Sequence, residues 1–496
     1  MALARTLHDV VICGGGVVGT LLGCLLAESP RLSRLSLGLV EPSPARGLAA
    51  HAAAGRVGGR TYALSPASAR LLASAGVWDA IVATGRAPAY TGMRVWDALG
   101  PGSVAFGAAP GSAAAAAAPA LGYMVEHEVL AGALWERLQA HRASGRVAVY
   151  TGARMAALEL PPSPLEAAWP GWAAPPPAAA AGAGAGLATL RLSDAQILTA
   201  RLLVAADGAA SPARAAAGLG VAALDYAQHA VCATVELSAA EGEGARGTAW
   251  QRFLPLGPIA VLPLWGRAAS IVWTTSPAHA AALLAMPPAD FVDALNAVLH
   301  APQAAFHAAM GARAPLHSPR HAPTAAAPSP PPPRAAALLA PPTAFPLRLQ
   351  LAQAYTRPRF ALLGDAAHTI HPLAGQGLNQ GCADAADLQA VLSARVGGLG
   401  EECGSSSVLE DYAARAGPRN LGVALGVHAL QRLFAGQGVG GPLEALLPPG
   451  LAACIWGPGG ALPALRTLGL GLANSSVLAQ AFAGMAGAPG GVIAKR

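Results

Sequence analysis

The chain has 496 residues, enough for a large core and two domains, and is 53% hydrophobic but only 12% charged, with a mean hydropathy of +0.43. Its net charge is +6, yet the arginines are scattered, with no basic run and no aromatic–basic interleaving, so nucleic-acid binding finds no support. Cys13, Cys24, Cys232, Cys382, Cys403 and Cys454 lie far apart with no CxxC pair, which argues against a disulfide framework or a zinc site and for a reducing compartment. The low charge density suits a protein that lies against a membrane or a partner.

No signal peptide is visible, and Met1–His8 is too short for a transit peptide. Asp9–Cys13 reads as a strand, followed by Gly14-Gly15-Gly16-Val17-Val18-Gly19 and an apolar helix over Leu21–Glu28. Val10–Ala27 is uncharged over about eighteen residues, long enough to raise a membrane span, but its glycines favour strand, turn and helix. Gly14, Gly16 and Gly19 complete a GxGxxG: one for the tight turn, one for the approach of a pyrophosphate, one for helix packing. A second strand, Leu35–Val40, ends at Glu41, the carboxylate expected on an adenosine ribose. Arg60-Thr61-Tyr62-Ala63-Leu64-Ser65-Pro66 leads into a helix over Ala67–Ala75.

Val95–Gly107 reads as paired strands and Ala108–Ala120 as a low-complexity alanine loop. The stretch 122–142 carries an amphipathic helix with Val129, Leu130, Ala133, Leu134 and Leu138 on one core-facing side. Pro161–Gly186 reads as a disordered surface insertion. Leu187–Leu192 and Leu198–Ala205 alternate as strands, the second ending at Asp207-Gly208, with Ser211 to Arg214 opening a helix. Tyr226–Leu237, Thr248–Leu256, Ile259–Trp265 and Ala269–Thr275 are β-rich and predict an antiparallel sheet that floors a substrate domain. Ala289–Leu299 predicts a helix, Arg313–Pro342 a Pro/Ala insertion and Phe345–Leu351 a strand.

The stretch from Arg359 to Leu392 is the densest in signals. Phe360–Leu363 is a buried strand closed by Gly364-Asp365, a loop follows with Pro372, Gly375 and Gly377, and a helical pattern runs from about Leu378. A carboxylate at a strand end accepts hydrogen bonds from hydroxyls, the glycines let backbone approach a flat ring, and a helix start aims free N–H groups and its positive end at the loop. The negative side of a reduced flavin would gain from that placement. His368 and His371 are three apart, but no third ligand accompanies them, and no metal is expected; His371 beside Pro372 is read as shaping the loop. Beyond Val396 a Gly/Ser linker leads to apolar helices, Val408–Arg415, Leu421–Phe434, Leu443–Leu447 and Ala464–Met485, read as a packed cap or interfacial surface and not a span.

The run GDAAH..HPLAGQG.N resembles the second FAD motif of the flavin aromatic hydroxylases. Asp207 to Arg214 resembles their DGxxSxxR motif, with Ala206 where glycine is usual, and the Arg60 run resembles the segment whose arginine lies near the flavin and its phosphates. Over most of its length the chain resembles the para-hydroxybenzoate-hydroxylase-like FAD monooxygenases. Within them it is most similar to the eukaryotic ring hydroxylases of ubiquinone biosynthesis, on the runs Gly122–Glu126, Ala249–Ala260, Val272–Ser276 and His371–Asn379.

The fold implied is α/β: a Rossmann-like FAD-binding domain in four parts (7–82, 122–160, 187–222 and 345–396), interrupted by an antiparallel-sheet substrate domain (83–121 and 223–311). Low-complexity insertions are expected at 161–186 and 312–344, and a C-terminal helical region at 408–490. The resemblance implies FAD contacts from Gly14, Gly16, Gly19, Glu41, Arg60, Asp207, Gly208, Gly364, Asp365, Pro372, Gly375, Gly377, Leu378 and Asn379. It implies hydroxylation of a polyprenyl-4-hydroxybenzoate-type precursor at ring carbon five, ortho to the phenol, by O2 through a flavin hydroperoxide. The implied electron donor is a ferredoxin with its reductase, with NAD(P)H the alternative. The implied setting is the matrix face of the inner mitochondrial membrane, peripherally and beside other ubiquinone-biosynthesis proteins; no general base can be named. Two other readings stand beside this one: a flavin enzyme of the same fold acting as an epoxidase or soluble phenol hydroxylase, and a non-catalytic scaffold that keeps FAD as a structural element. The intact HPLAGQGLN loop argues against the scaffold.

Overall fold

The computed structural model describes residues 5–43, 47–48, 57–100, 102–107, 118–162, 186–238, 247–309 and 331–434. In chain order the strands are β1 (Arg5–Cys13), β2 (Leu37–Glu41), β3 (Thr61–Leu64), β4 (Ala89–Tyr90), β5 (Gly92–Asp97), β6 (Ser103–Gly107), β7 (Gly122–Glu126), β8 (Val147–Thr151), β9 (Met155–Glu159) and β10 (Ala188–Leu192). They continue with β11 (Ile197–Ala205), β12 (Val221–Leu237), β13 (Thr248–Leu254), β14 (Gly257–Pro263), β15 (Ala268–Thr275), β16 (Ala335–Ala352), β17 (Thr356–Arg357), β18 (Phe360–Leu362) and β19 (His368–Thr369).

The first sheet runs β17-β18-β11-β1-β2-β8, with β10 on β11 and β9 on β10. From β18 to β8 the pairing is parallel, and such strands are apolar throughout because both faces are covered. β1 shows the pattern: Val10 and Ile12 join one core cluster with the helices Val17–Glu28, His127–Ala143 and Gln376–Leu399, whereas Val11 and Cys13 join another with Leu203, Phe360 and Leu362. Three helices begin at Ser-Pro, and in each the serine hydroxyl accepts an N–H three residues on: Ser65 from Ser68, Ser211 from Arg214, Ser276 from His279. Proline at the first helical position loses no bond there.

The second sheet runs β19-β16-β12-β15-β14-β13-β5-β6. It is antiparallel except where β13 meets β5. Val231, Ala233, Val235, Ile271 and Trp273 pack against Phe291, Leu295 and Leu299 of the helix Pro288–His300; on the other face Thr234 and Ser270 bond to Gly58 and Thr61. A third, small sheet runs β3-β7-β4.

Four expectations are corrected. The insertion predicted at 312–344 ends earlier, because 335–344 belongs to β16. Pro341 and Pro342 fall in a gap of the β12 register, between Thr343 and Ala340, so they remove no ladder bond. The stretch 122–142 opens with β7 before its helix, His127–Ala143. The helix Gln376–Leu399 runs through the start of the expected linker to a left-handed Gly400 at φ +72°. The two helices read around Pro418 are one, Ser406–Phe434. The helices expected at Leu443–Leu447 and Ala464–Met485, and most of the alanine loop at 108–120 and of the insertion at 161–186, lie outside the described residues. Among the described residues no helix is long and apolar enough to cross a membrane.

Candidate functional site

Four strands of the first sheet end level with one another. Val40 pairs with Cys13, Cys13 with Ala205, and Ala205 with Leu362. The residues that leave these ends are Glu41, Gly14, Ala206-Asp207 and Leu363-Gly364, at the carboxyl edge where parallel sheets hold ligands. The turns touch: a Cβ on Gly14, whose φ is +105°, would stand 2.4 Å from the Ala206 carbonyl oxygen. The buried Arg214 donates to the carbonyls of Ala366, at 2.7 Å, and Ala209, at 2.9 Å, and so ties the Asp207 turn to the Asp365 turn. Gly16, Asp207 and Asp365 therefore belong to one set of strand ends.

A Cβ added to Gly16, Gly208 or Gly377 would meet nothing within 4 Å. Bare backbone from three motifs thus borders open space at one sheet edge, as an extended dinucleotide requires. Gly19 differs, since its Cβ would lie 1.9 Å from the Gly14 carbonyl oxygen; it is there for packing. Glu41 accepts from the N–H groups of Gly15 and Ser43, each at 2.7 Å, which fixes the carboxylate at the mouth of the turn.

Two of the polar residues expected at the cofactor spend their side chains on the protein. Asp207 accepts from the Ser211 hydroxyl and, at 2.9 Å, from Ala213 N–H, capping the short helix Pro212–Ala216. The Asn379 carbonyl oxygen accepts from Ser65 N–H (2.8 Å) and the Ser68 hydroxyl (2.7 Å), and its amide donates to the carbonyls of Ala63 (2.9 Å) and Gly375 (3.0 Å). It latches the Arg60–Pro66 run to the start of the helix Gln376–Leu399. Asp365 and Arg60 remain exposed. Surrounding protein raises the Asp365 pKa by desolvation, while His368 and Arg60 pull it back. The Arg60 guanidinium lies 5.2 Å from the centre of the Tyr62 ring. Pro372 opens a short 3-10 turn, Gly375 takes the left-handed φ of +60° that starts the helix, and Leu378 is half-buried in its first turn.

Sequence reading missed the groups that hold these loops. Asp384, wholly buried, accepts from Gly364 N–H (3.0 Å) and Asn420 (2.8 Å), pairs with Arg419 at 2.5 Å, and lies 2.6 Å from His368 Nε2. His368, weighed for a metal, is thus half of a buried carboxylate–imidazole pair; among the described residues no His/Cys/Asp/Glu cluster could hold a metal. Glu126 accepts from both Nε and a terminal nitrogen of Arg86, each at 2.8 Å, from Trp265 Nε1 at 2.7 Å, and from Gly58 N–H at 2.5 Å. The signal for both was a carboxylate inside an apolar run.

The second sheet offers its other face to these loops. One row crosses five strands through Cys232, Val272, Ala260, Gln251 and Val95. Cys232, Val272, Ala260 and Leu262 stay half-exposed in central strands, while Val231, Ile271 and Val261 beside them are buried. The middle of that face is therefore only partly covered. The Arg60 loop is pinned across it by Thr61 Oγ1 donating to Ser270 Oγ (2.7 Å) and Thr234 Oγ1 donating to the Gly58 carbonyl (3.2 Å). Leu373 packs near Val95 and Phe253.

The family model for an FAD binding domain matches residues 182–423. The structure of Pseudomonas aeruginosa PqsL in complex with 2-aminobenzoylacetate superposes with a TM-score of 0.59 at 20% identity, covering 87% of this chain and 97% of that one. The p-nitrophenol 4-monooxygenase PnpA from Pseudomonas putida gives 0.57 at 17% identity, covering 95% of this chain and all of its own. The family model and the relatives below together define an FAD-dependent monooxygenase, with FAD as its cofactor. The mitochondrial ubiquinone biosynthesis monooxygenase of Xenopus tropicalis is 36% identical over 430 residues, 86% of each chain. That of Mus musculus is 35% identical over 460 residues (91% of this chain, 88% of the relative), and the ubiquinone hydroxylase UbiL of Rhodospirillum rubrum 33% over 435 (87% and 83%). The chain belongs to the ubiquinone biosynthesis monooxygenases.

Proposed function

We propose that this chain hydroxylates the aromatic ring of a polyprenyl-4-hydroxybenzoate-type precursor at carbon five, as a step of ubiquinone biosynthesis. The observation that carries the reading is the partly exposed row Cys232–Val272–Ala260, which continues through Gln251 to Val95, where Leu373 of the loop His371–Asn379 packs on the same face. A ring lying on an apolar sheet face below a flavin-binding loop is placed for attack on oxygen. FAD, when bound and reduced, supplies the activated oxygen. The protein's part is binding, orientation and exclusion of water. The bare backbone at Gly16, Gly208 and Gly377 admits the cofactor, Gly14 makes the tight turn against Ala206, Gly19 packs that turn, and Glu41 at its strand end takes the adenosine ribose. Asp365, beside Gly364, accepts from cofactor hydroxyls, and Arg60 sets a cation near the phosphates. Pro372, Gly375 and Leu378 shape the loop under the ring, and Asp207 and Asn379 hold the turns from which these contacts are made. The apolar sheet face keeps water from the reacting centre.

The mitochondrial names of the animal relatives support a mitochondrial location for this chain. In this reading the protein works on the matrix face of the inner membrane, where a prenylated phenol resides, beside other enzymes of the pathway. Its electrons come from a ferredoxin and its reductase, or from NAD(P)H. The four flavin segments and the interrupting sheet segments act as the two domains. Removal of the gene tests the function: mass spectrometry should find a prenylated ring lacking the carbon-five oxygen. Accumulation of a ring that already carries that oxygen rejects the assignment.

A further inference from the structure

Tyr226 stands at a bulge where three elements meet. Between Asp225, paired with Arg348, and His229, paired with Pro346, β12 carries three residues against one on β16. Ala227 within it has φ +52°, a left-handed conformation that disfavours any residue with a Cβ. Asp225 Oδ1 accepts the Ala227 N–H at 2.8 Å. Bulges re-aim side chains, and a strained residue persists only where its surroundings hold it.

The re-aimed side chain is Tyr226. Its hydroxyl lies 3.0 Å from His428 Nδ1, on the helix Ser406–Phe434, and its ring meets the His371 ring at 5.2 Å, edge to face at 89°. His371 opens the flavin loop and accepts Leu373 N–H through Nδ1 at 3.1 Å. The neutral ring therefore carries its proton on Nε2, an atom that is fully buried and has no hydrogen-bond partner among the described residues. On that side the ring is held by packing alone, and the Tyr226 ring is one of the groups packed against it. The helix behind it is anchored to the same bulge and sheet. Gln431 donates to Gln228 Oε1 at 2.9 Å, Gln228 donates to the Leu256 carbonyl at 2.8 Å, and Phe434 stacks on Phe253 at 3.8 Å. Burial keeps both imidazoles below their usual range, so both remain acceptors at neutral pH.

We propose that Tyr226 is a positioning residue for the loop His371–Asn379, and that the helix Ser406–Phe434 steers this loop through the Tyr226–His428 hydrogen bond. The proposal rests on the reading that the loop faces the flavin ring. Tyr226→Phe, His428→Ala and the double variant are compared with the wild type for FAD affinity, by fluorescence titration of flavin-free protein, and for the visible absorption band of the bound flavin. Each single variant should bind FAD about fivefold more weakly, the scale of one hydrogen bond, and shift the band. The double variant should stay within about twofold of the singles, since both remove one link. His428→Gln, whose amide oxygen can accept the phenol hydrogen, should restore the wild-type values. Asp365→Ala, expected to release the flavin, is the control for the site itself. Wild-type affinity and spectrum in both single variants, or effects that add, overturn the proposal while Asp365→Ala still loses flavin. If Asp365→Ala keeps its flavin in full, the placement of the loop falls and the proposal falls with it.

Discussion

Burial pushes the His371 imidazole down to about 4, and the charge of His428 acts in the same direction. The unfolded chain takes up this proton near the ordinary histidine value of about 6.5, so stability is lost as pH falls below that value and the loss is complete near the folded value. Between pH 6 and 5 the folded protein should lose roughly 1 kcal/mol per pH unit from this residue alone. His371→Asn, whose side-chain oxygen can accept Leu373 N–H in the same way, should flatten the urea-denaturation stability over that interval; an unchanged slope rejects the account. The same scale shows what sequence can and cannot tell. GD, DG and GxGxxG located residues that lie together at the ends of neighbouring strands, because turns need those residue types wherever they occur. The partners of Asp207 and Asn379 were hidden, because an Asp that caps its own helix and an Asp that holds a ligand have the same letter. Asp384 was hidden for a related reason: its four partners come from Gly364, His368, Arg419 and Asn420.

The first strand, turn and helix form a unit whose glycines do different work. A side chain at Gly19 would collide with the backbone of Gly14, whereas one at Gly16 has free space around it. Gly19→Ala is therefore expected to destabilise the folded protein itself, by several kcal/mol as with other overpacked sites. Gly16→Ala should leave the melting temperature of the flavin-free protein within a degree or two and still abolish FAD retention. Paired melting curves and flavin content check both; equal loss of stability in the two variants would refute the division of labour. Elements of this unit were readable because each has a period and a stop signal. The short strands β3, β4 and β7 were not, since two to five residues show no period. β16 was obscured by prolines that the sheet places where no ladder bond is needed.

At the scale of the molecule, the small third sheet meets Trp265, just past the end of β14 in the second sheet, through a buried ion pair. Glu126 on β7 and Arg86 are almost wholly enclosed, and Arg86 lies 4.8 Å over the Trp265 ring that also donates to Glu126. Removing one partner leaves the other charged and dry, so Glu126→Ala should cost roughly 3–5 kcal/mol in denaturant titrations. The Glu126→Ala, Arg86→Ala double variant should lose less than the sum of the two singles, and strict additivity would show that the pair is not coupled.

The parallel strands that carry the cofactor loops are neighbours in space but strangers along the chain: Arg5 pairs with Ile197, and Ala205 with Leu362. A ribosome making this protein releases β1 and β2 well before β8 and β11, the strands that belong beside them, exist. Closing loops of that length is slow, and an unfinished parallel edge is open to pairing with other nascent chains in the meantime. Asp384, which anchors Gly364, emerges later still. Loading of the yellow prosthetic group is consequently expected only late in synthesis, and until then the bare edge is where chaperone shielding would act.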